Sequence, residues 1–222
     1  MNSLTSWKLK SESIYKVYND KIKNNEKVKN VFHGFKVWYS PVIINPKILI
    51  IGINPGIGEQ TPDKNINFNE SLEFEYLPQI SKYTLANEMK SVFRSAGLYR
   101  LLEEQTVKTN YYHIISKRQS DIKFGLESID KSLYLQYEKD TKEIMTELIA
   151  IINPKYIVCE GSTIYHKVIN LFEDRQKSVW QNDVGVTKIN EPDIKVFGCS
   201  RRLSRIRNKK TFADVLKENI EW

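Results

Sequence analysis

Apolar positions fall into two patterns along the chain, short continuous runs and longer stretches with helical spacing. Residues 4–30 carry Leu9, Ile14, Val17, Tyr18 and Ile22 near a 3.6-residue period, which predicts one or two helices. The stretch 34-GFKVWYSPVIINP-46 holds two prolines and alternating aromatics, the mark of a loop or short edge strand. The run 47-KILIIGIN-54 is continuously apolar and bounded by turn residues, as in a strand buried on both faces of a parallel sheet. Residues 57–80 are rich in Asn, Glu, Gln and Pro and have no period, which predicts a long loop. From Thr84, Leu85, Met89, Val92, Phe93 and Ala96 share one helical face, and Gly97 closes that helix.

Further on, 107-VKTNYYHIIS-116 alternates and is rich in strand formers, predicting one strand. A helix is expected over 132–152, where Ile144, Met145, Leu148, Ile149 and Ile152 line one face before Asn153-Pro154. A third strand at 155–160 turns at Gly161 into a helix capped by Ser162 or Thr163. A fourth, 194–200, leads into a basic loop, and a helix over 211–220 closes the chain. Strands alternating with helices predict one domain over 1–222, a three-layer α/β/α sandwich on a mostly parallel four-stranded sheet, with 1–40 as a helical N-terminal extension. Ligands bind such sheets beyond the carboxyl ends of the strands. Four loops are expected on that rim: Asn54–Gly58, Ser116–Gln119, Gly161–Ser162 and Gly198–Arg207, so that Asn54 and Arg201–Arg207 share it.

Charge sharpens this picture. The chain has 222 residues with 34 Lys+Arg against 27 Asp+Glu, a formal charge of +7. Lys195–Lys210 reads KVFGCSRRLSRIRNKK, seven basic residues and no acid, and the remainder balances at 27 against 27. One patch therefore holds the whole excess, the footprint of a phosphate-rich partner. The plainer reading is a solvated basic run, but Leu203 and Ile206 interrupt it and a strand feeds it. Two cysteines and three histidines, without metal-ligand spacing, predict no metal and a reducing compartment. No apolar run approaches the ~18 residues of a membrane span. The N-terminal stretch lacks an apolar signal core, which places the protein in the cytoplasm.

The turn 52-GINPGIG-58 lacks both G-x-G-x-x-G and G-K-[ST], and Pro55 removes an N–H, so a nucleotide triphosphate site is not expected. It holds the Asn54 amide at the end of a strand, where an amide orients a water molecule or a polar ring. Equally, Asn54 ties down its own turn.

Strand–GINPG resembles the first motif of the uracil-DNA glycosylase superfamily, closest to its mismatch-specific and thymine-DNA glycosylase branch. The likeness continues, in order, through 87-NEMKSVFRSAGL-98, the T-N step in 107-VKTNYYHI-114, 157-IVCEGSTIYHKVI-169 and the strand–loop Val196–Arg207. The resemblance implies a uracil-DNA glycosylase-like fold and hydrolysis of the N-glycosidic bond of an extruded damaged or mismatched base. It implies a monomer acting on duplex or single-stranded DNA without a cofactor. Asn54 would hold the attacking water, and Ile53, Pro55 and Gly56 would line the base pocket. Tyr83 would stack on the base, with Phe74 and Tyr76 as alternatives. Asn110 would read the base edge, unless it is a strand-end Asn bonded to backbone.

The second motif departs from the family: 198-GCSRRLSRIRN-208 begins without His, Asn or Pro. Leu203 matches the family's duplex wedge by position; Ser200 and Ser204 offer hydroxyls to bond phosphates, and Arg201, Arg202, Arg205 and Arg207 offer guanidiniums to clamp the backbone. Two other functions remain open, a non-catalytic nucleic-acid-binding protein on this scaffold and a small-molecule enzyme using Glu59, Asp63 or Glu160.

Overall fold

The computed structural model describes residues 3–57, 65–70, 74, 76–77, 83–202 and 204–221. In chain order the elements are α1 (Leu4–Lys23), β1 (Phe32–Lys36), β2 (Ile48–Gly52), β3 (Ile66–Asn67), α2 (Thr84–Ser95), α3 (Tyr99–Glu104), β4 (Thr106–Asn110), β5 (Ile114–Ser116), α4 (Gln119–Ile129), α5 (Leu133–Ile152), β6 (Tyr156–Cys159), α6 (Ser162–Ile169), β7 (Val179–Gln181), β8 (Val184–Ile189), β9 (Ile194–Cys199), β10 (Arg201–Arg202), β11 (Arg205–Ile206) and α7 (Lys209–Asn219). They divide between two compact units. One comprises Met1–Val37, Ile53–Asn69 and Asn110–Ile151, the other Trp38–Gly52, Glu70–Thr109 and Ile152–Trp222.

The second unit is built on a six-stranded mixed sheet of order β4-β2-β6-β9-β8-β7. Its centre is parallel: Ile51 pairs with Cys159 across β2 and β6, and Cys159 with Gly198 across β6 and β9. β8 then runs antiparallel to β9, and β7 to β8. The apolar runs read as buried strands are buried, because helices cover both faces. Ile48 and Ile50, Tyr156 and Val158, and Phe197 and Cys199 join one core with α2, α3 and α7. On the other face Tyr165 of α6 lies over β8 and β9, where a Cβ at Gly198 would come within 2.5 Å of its side chain. Only glycine allows that approach.

The first unit carries a three-stranded sheet of order β3-β1-β5, with β1 parallel to β3 and antiparallel to β5. Helix α1 begins at an N-cap Ser3, whose side chain accepts from the Ser6 N–H. It packs its aromatic face inward. Trp7 Nε1 donates to the Ile144 carbonyl of α5 at 3.0 Å, and Tyr15 stacks on Phe35 with ring centroids 4.7 Å apart.

Several expectations need correction. The chain forms six strands in the larger sheet rather than four, because 179–189 folds into a hairpin that extends it. The stretch 107–116 is two strands: β4 ends at Asn110 in the larger sheet and β5 begins at Ile114 in the smaller one. The predicted helices over 84–97, 132–152 and 211–220 appear as α2, α5 and α7; the one expected within 4–30 is α1, ending at Lys23, and the one after Gly161 is α6, whose N-cap is Gly161 itself with no side-chain cap from Ser162 or Thr163. Residues 32–36 of the expected helical extension form strand β1. Most of the loop 57–80, including Gly58, Glu59 and Asp63, lies outside the described residues. Among the described residues no helix is long and apolar enough to cross a membrane.

Candidate functional site

Past the end of β2 the chain enters the GINPG turn, which the first unit pins to the segment 112–116. The Ile53 carbonyl accepts from the Tyr112 N–H at 2.9 Å, and the Pro55 carbonyl from the Ser116 N–H at 3.1 Å. These two backbone bonds hold the turn at Ile53 and at Pro55. Between them the Asn54 side chain is fixed. Its Nδ2 donates to the Ser116 carbonyl at 3.0 Å, to Ser116 Oγ at 3.1 Å and to the Pro55 carbonyl at 3.1 Å. Ser116 is fully buried, and its hydroxyl donates onward to the Arg118 carbonyl at 3.0 Å. An amide has two N–H donors and one carbonyl acceptor. With the donors shared among these acceptors, and no donor paired with Oδ1 among the described residues, Oδ1 is the group Asn54 has to offer.

Both readings of Asn54 therefore have a physical basis: the side chain ties its turn, and in doing so it is oriented. Pro55 is buried, Ile53 half-buried and Gly56 exposed. Nothing lies within 4 Å of a Cβ built on Gly56, so that glycine is not demanded by packing here. Asn110, at the end of β4, is buried, and its backbone bonds the His113 ring. His113 is itself enclosed, with its Nδ1 paired to the Tyr15 hydroxyl. Burial drives its pKa from 6.5 down to about 3, against the pull of the Asn110 bond, so the ring is neutral at physiological pH.

In the second unit the parallel strands β2, β6 and β9 end together, at Gly52, Cys159 and Cys199. Glu160 follows β6 directly and is 3% exposed. It accepts from the Tyr76 hydroxyl and pairs with Lys108 of β4, whose Nζ lies 3.3 Å from Oε1 and 4.7 Å from the centre of the Tyr76 ring. The acid considered for small-molecule chemistry is thus enclosed in an ion pair. Tyr76 and Phe74, alternatives to Tyr83 as base-stacking residues, are buried in the core. Tyr83 stands at the N-cap of α2 and is 55% exposed. Burial pushes both cysteine thiols up, Cys199 to about 12, which leaves neither as a nucleophile.

After β9 the basic segment forms a pair of short antiparallel strands, with Arg201 opposite Ile206 and Arg202 opposite Arg205 across β10 and β11. Its base is anchored by the Ser200 N–H on the Asp183 carbonyl at 2.7 Å and the Arg207 N–H on the Ser200 carbonyl at 2.9 Å. Glu88 of α2 reaches it as well, accepting from the Ile206 N–H at 3.2 Å and from Lys209 Nζ at 3.1 Å. Ile206 is buried and Arg201 half-buried; Arg202, Ser204, Arg205 and Arg207 are exposed. The wedge candidate Leu203 lies outside the described residues. A Cβ built on Gly161 would lie 3.1 Å from Arg201 Nε, so that guanidinium rests against the start of α6.

The sequence reading missed Ser116 as the partner that orients Asn54, the Lys108–Glu160 pair and the Glu88 anchor. A Ser at a strand end, a Lys inside a strand and a Glu on a helix carry no local signal of such contacts. Among the described residues no group of three or more His, Cys, Asp or Glu gathers as metal ligands. The chain matches no protein-family model and no curated protein.

Proposed function

We propose that the protein is a monofunctional DNA glycosylase that hydrolyses the N-glycosidic bond of an extruded, uracil-like damaged or mismatched base. The observation that carries this reading is the Asn54 amide, held by three hydrogen bonds with its carbonyl oxygen left to accept from a water molecule. In the proposed reaction the water oxygen bonds to the sugar C1′ as the C1′–N bond breaks. The base leaves with the electron pair and gains the proton the water loses. Asn54 is no base; it positions the water, and the oxocarbenium-like sugar is stabilised by the adjacent phosphates. No cofactor enters this scheme.

The resemblance to the uracil-DNA glycosylase superfamily supports the same reading, and with it a uracil-DNA glycosylase-like sandwich and a monomeric state. Extrusion of a base costs roughly a few kcal/mol, offset by stacking and by hydrogen bonds to the base edge. In this scheme Tyr83 stacks, Asn110 reads the base edge and the Arg hairpin grips the backbone. A second reading, a nucleic-acid-binding protein without catalysis, is favoured by the second motif, which begins without His, Asn or Pro. Incubation with oligonucleotides carrying uracil, hypoxanthine, xanthine or a G·T mismatch, followed by alkaline cleavage at abasic sites, tests the proposal. Strand cleavage at one lesion supports the glycosylase. Intact strands throughout, with DNA still bound, select the second reading.

A further inference from the structure

The cross-strand register of the Arg hairpin separates its arginines into two faces. Arg201 and Ile206 oppose each other, half-buried and buried, and form the inner face; Arg202 and Arg205 oppose each other on the outer face, and both are exposed. Directly opposed residues on adjacent strands hold their Cβ atoms ~5 Å apart, and like charges in that relation repel. Among the described residues no carboxylate pairs with either guanidinium. Glu88, which α2 brings to the hairpin, is engaged with the Ile206 N–H and Lys209. The two cations are therefore presented side by side on a hairpin anchored at its base. Guanidinium forks suit phosphate oxygens, and one phosphodiester has two non-bridging oxygens to offer.

We propose that Arg202 and Arg205 form a two-pronged clamp for a single backbone phosphate, while Arg201 positions the hairpin through its contact with Gly161 and bonds no phosphate. This rests on the nucleic-acid reading above and adds how the hairpin meets its partner. One phosphate shared by two arginines differs measurably from two phosphates held separately, because counterion release counts phosphates rather than cations. The log–log salt slope of duplex binding changes by ~0.9 for each phosphate the protein no longer neutralises.

The experiment measures binding of the full chain to a fluorescein-labelled, unmodified duplex between 50 and 200 mM salt, on the order of the range where such slopes are read. Wild type, Arg202→Ala, Arg205→Ala and the double variant are compared. A shared phosphate leaves each single variant with weaker binding and a nearly unchanged slope, and the double variant with a slope lower by ~0.9. Separate phosphates give ~0.9 for each single change and ~1.8 for the double, which overturns the clamp but keeps the DNA reading. Unchanged affinity and slope in the double variant overturn the clamp alone, and no binding by wild type overturns both the clamp and the DNA reading. Arg201→Gln, which removes the charge, serves as the check on division of labour: an unchanged slope supports a positioning role, and a fall of ~0.9 refutes it.

Discussion

Lys108 Nζ lies 3.3 Å from Glu160 Oε1 with both side chains 4% exposed, a buried ion pair at the carboxyl end of the larger sheet. Desolvating two charges offsets much of their attraction, so such a pair contributes little net stability while each partner depends on the other. Tyr76 completes the set, its hydroxyl on the carboxylate and its ring beneath the ammonium.

Lys108→Met and Glu160→Gln are each expected to lower unfolding free energy by about 3–5 kcal/mol, since each strands a buried charge. The double variant Lys108→Met/Glu160→Gln costs less than the two single costs added together. Urea unfolding of the four proteins measures this cycle. Additive losses would show that the two charges do not depend on each other.

Gly125 sits mid-helix in α4, where a Cβ would fall 2.4 Å from Phe32 Cζ of β1. Helix propensity alone favours Ala there by about 1 kcal/mol. Overpacking a fully buried ring costs about 1–3 kcal/mol. Gly125→Ala is therefore expected to destabilise, and Gly125→Ala in a Phe32→Leu background to be tolerated better. Thermal melts of the variants decide the sign.

His113 links stability to acid. Its folded pKa, about 3, lies below the 6.5 of a free imidazole, so below pH 6.5 the unfolded chain binds the proton that the folded chain refuses. The stability from keeping this ring neutral is complete above pH 6.5. It is lost at up to about 1.4 kcal/mol per pH unit as pH falls towards 3. His113→Gln removes that component: the variant is less stable at pH 7, having lost the Tyr15 partner, but its midpoint urea concentration falls less between pH 6.5 and 4.5. Parallel pH dependence in wild type and variant would exclude His113 as the source.

What the sequence made legible follows from how local each signal is. The run 48-ILIIG-52 could only be a strand buried on both faces, and β2 is one. Helix α4 escapes a sequence reading because Gly125 interrupts a weak apolar period; that glycine answers to Phe32, far away in sequence. The hairpin of β7 and β8 escapes it because its turn, Asn182-Asp183, is a weaker signal than Asn-Gly, although both residues adopt the positive φ such turns require. The break between β4 and β5 leaves no mark in an alternating segment, since the bonds from Tyr112 and Ser116 to the GINPG turn impose it. At the candidate site Asn54 and the arginines stand out by residue type, whereas Ser116 and Glu88 work only through partners brought in by folding.

Ser116 provides the sharpest separation of catalytic from structural roles. If Asn54 Oδ1 holds the attacking water, Asn54→Ala removes an interaction realised in the transition state and not one that grips the backbone. Single-turnover base release should then fall by ~10²-fold or more while duplex affinity stays unchanged. Ser116→Ala keeps the backbone carbonyl as a partner for Nδ2 but deletes the hydroxyl, so the amide is held less firmly and release slows by a smaller factor, ~10-fold. Ser116→Thr retains the hydroxyl and should restore the rate. The Asn54 side-chain amide resonances of the ¹⁵N-labelled protein give a readout that needs no substrate: they shift and exchange faster in Ser116→Ala and return towards wild type in Ser116→Thr. Faster exchange with an unchanged rate of release would make the Ser116 bonds structural only. Full activity in Asn54→Ala would place the water on another group.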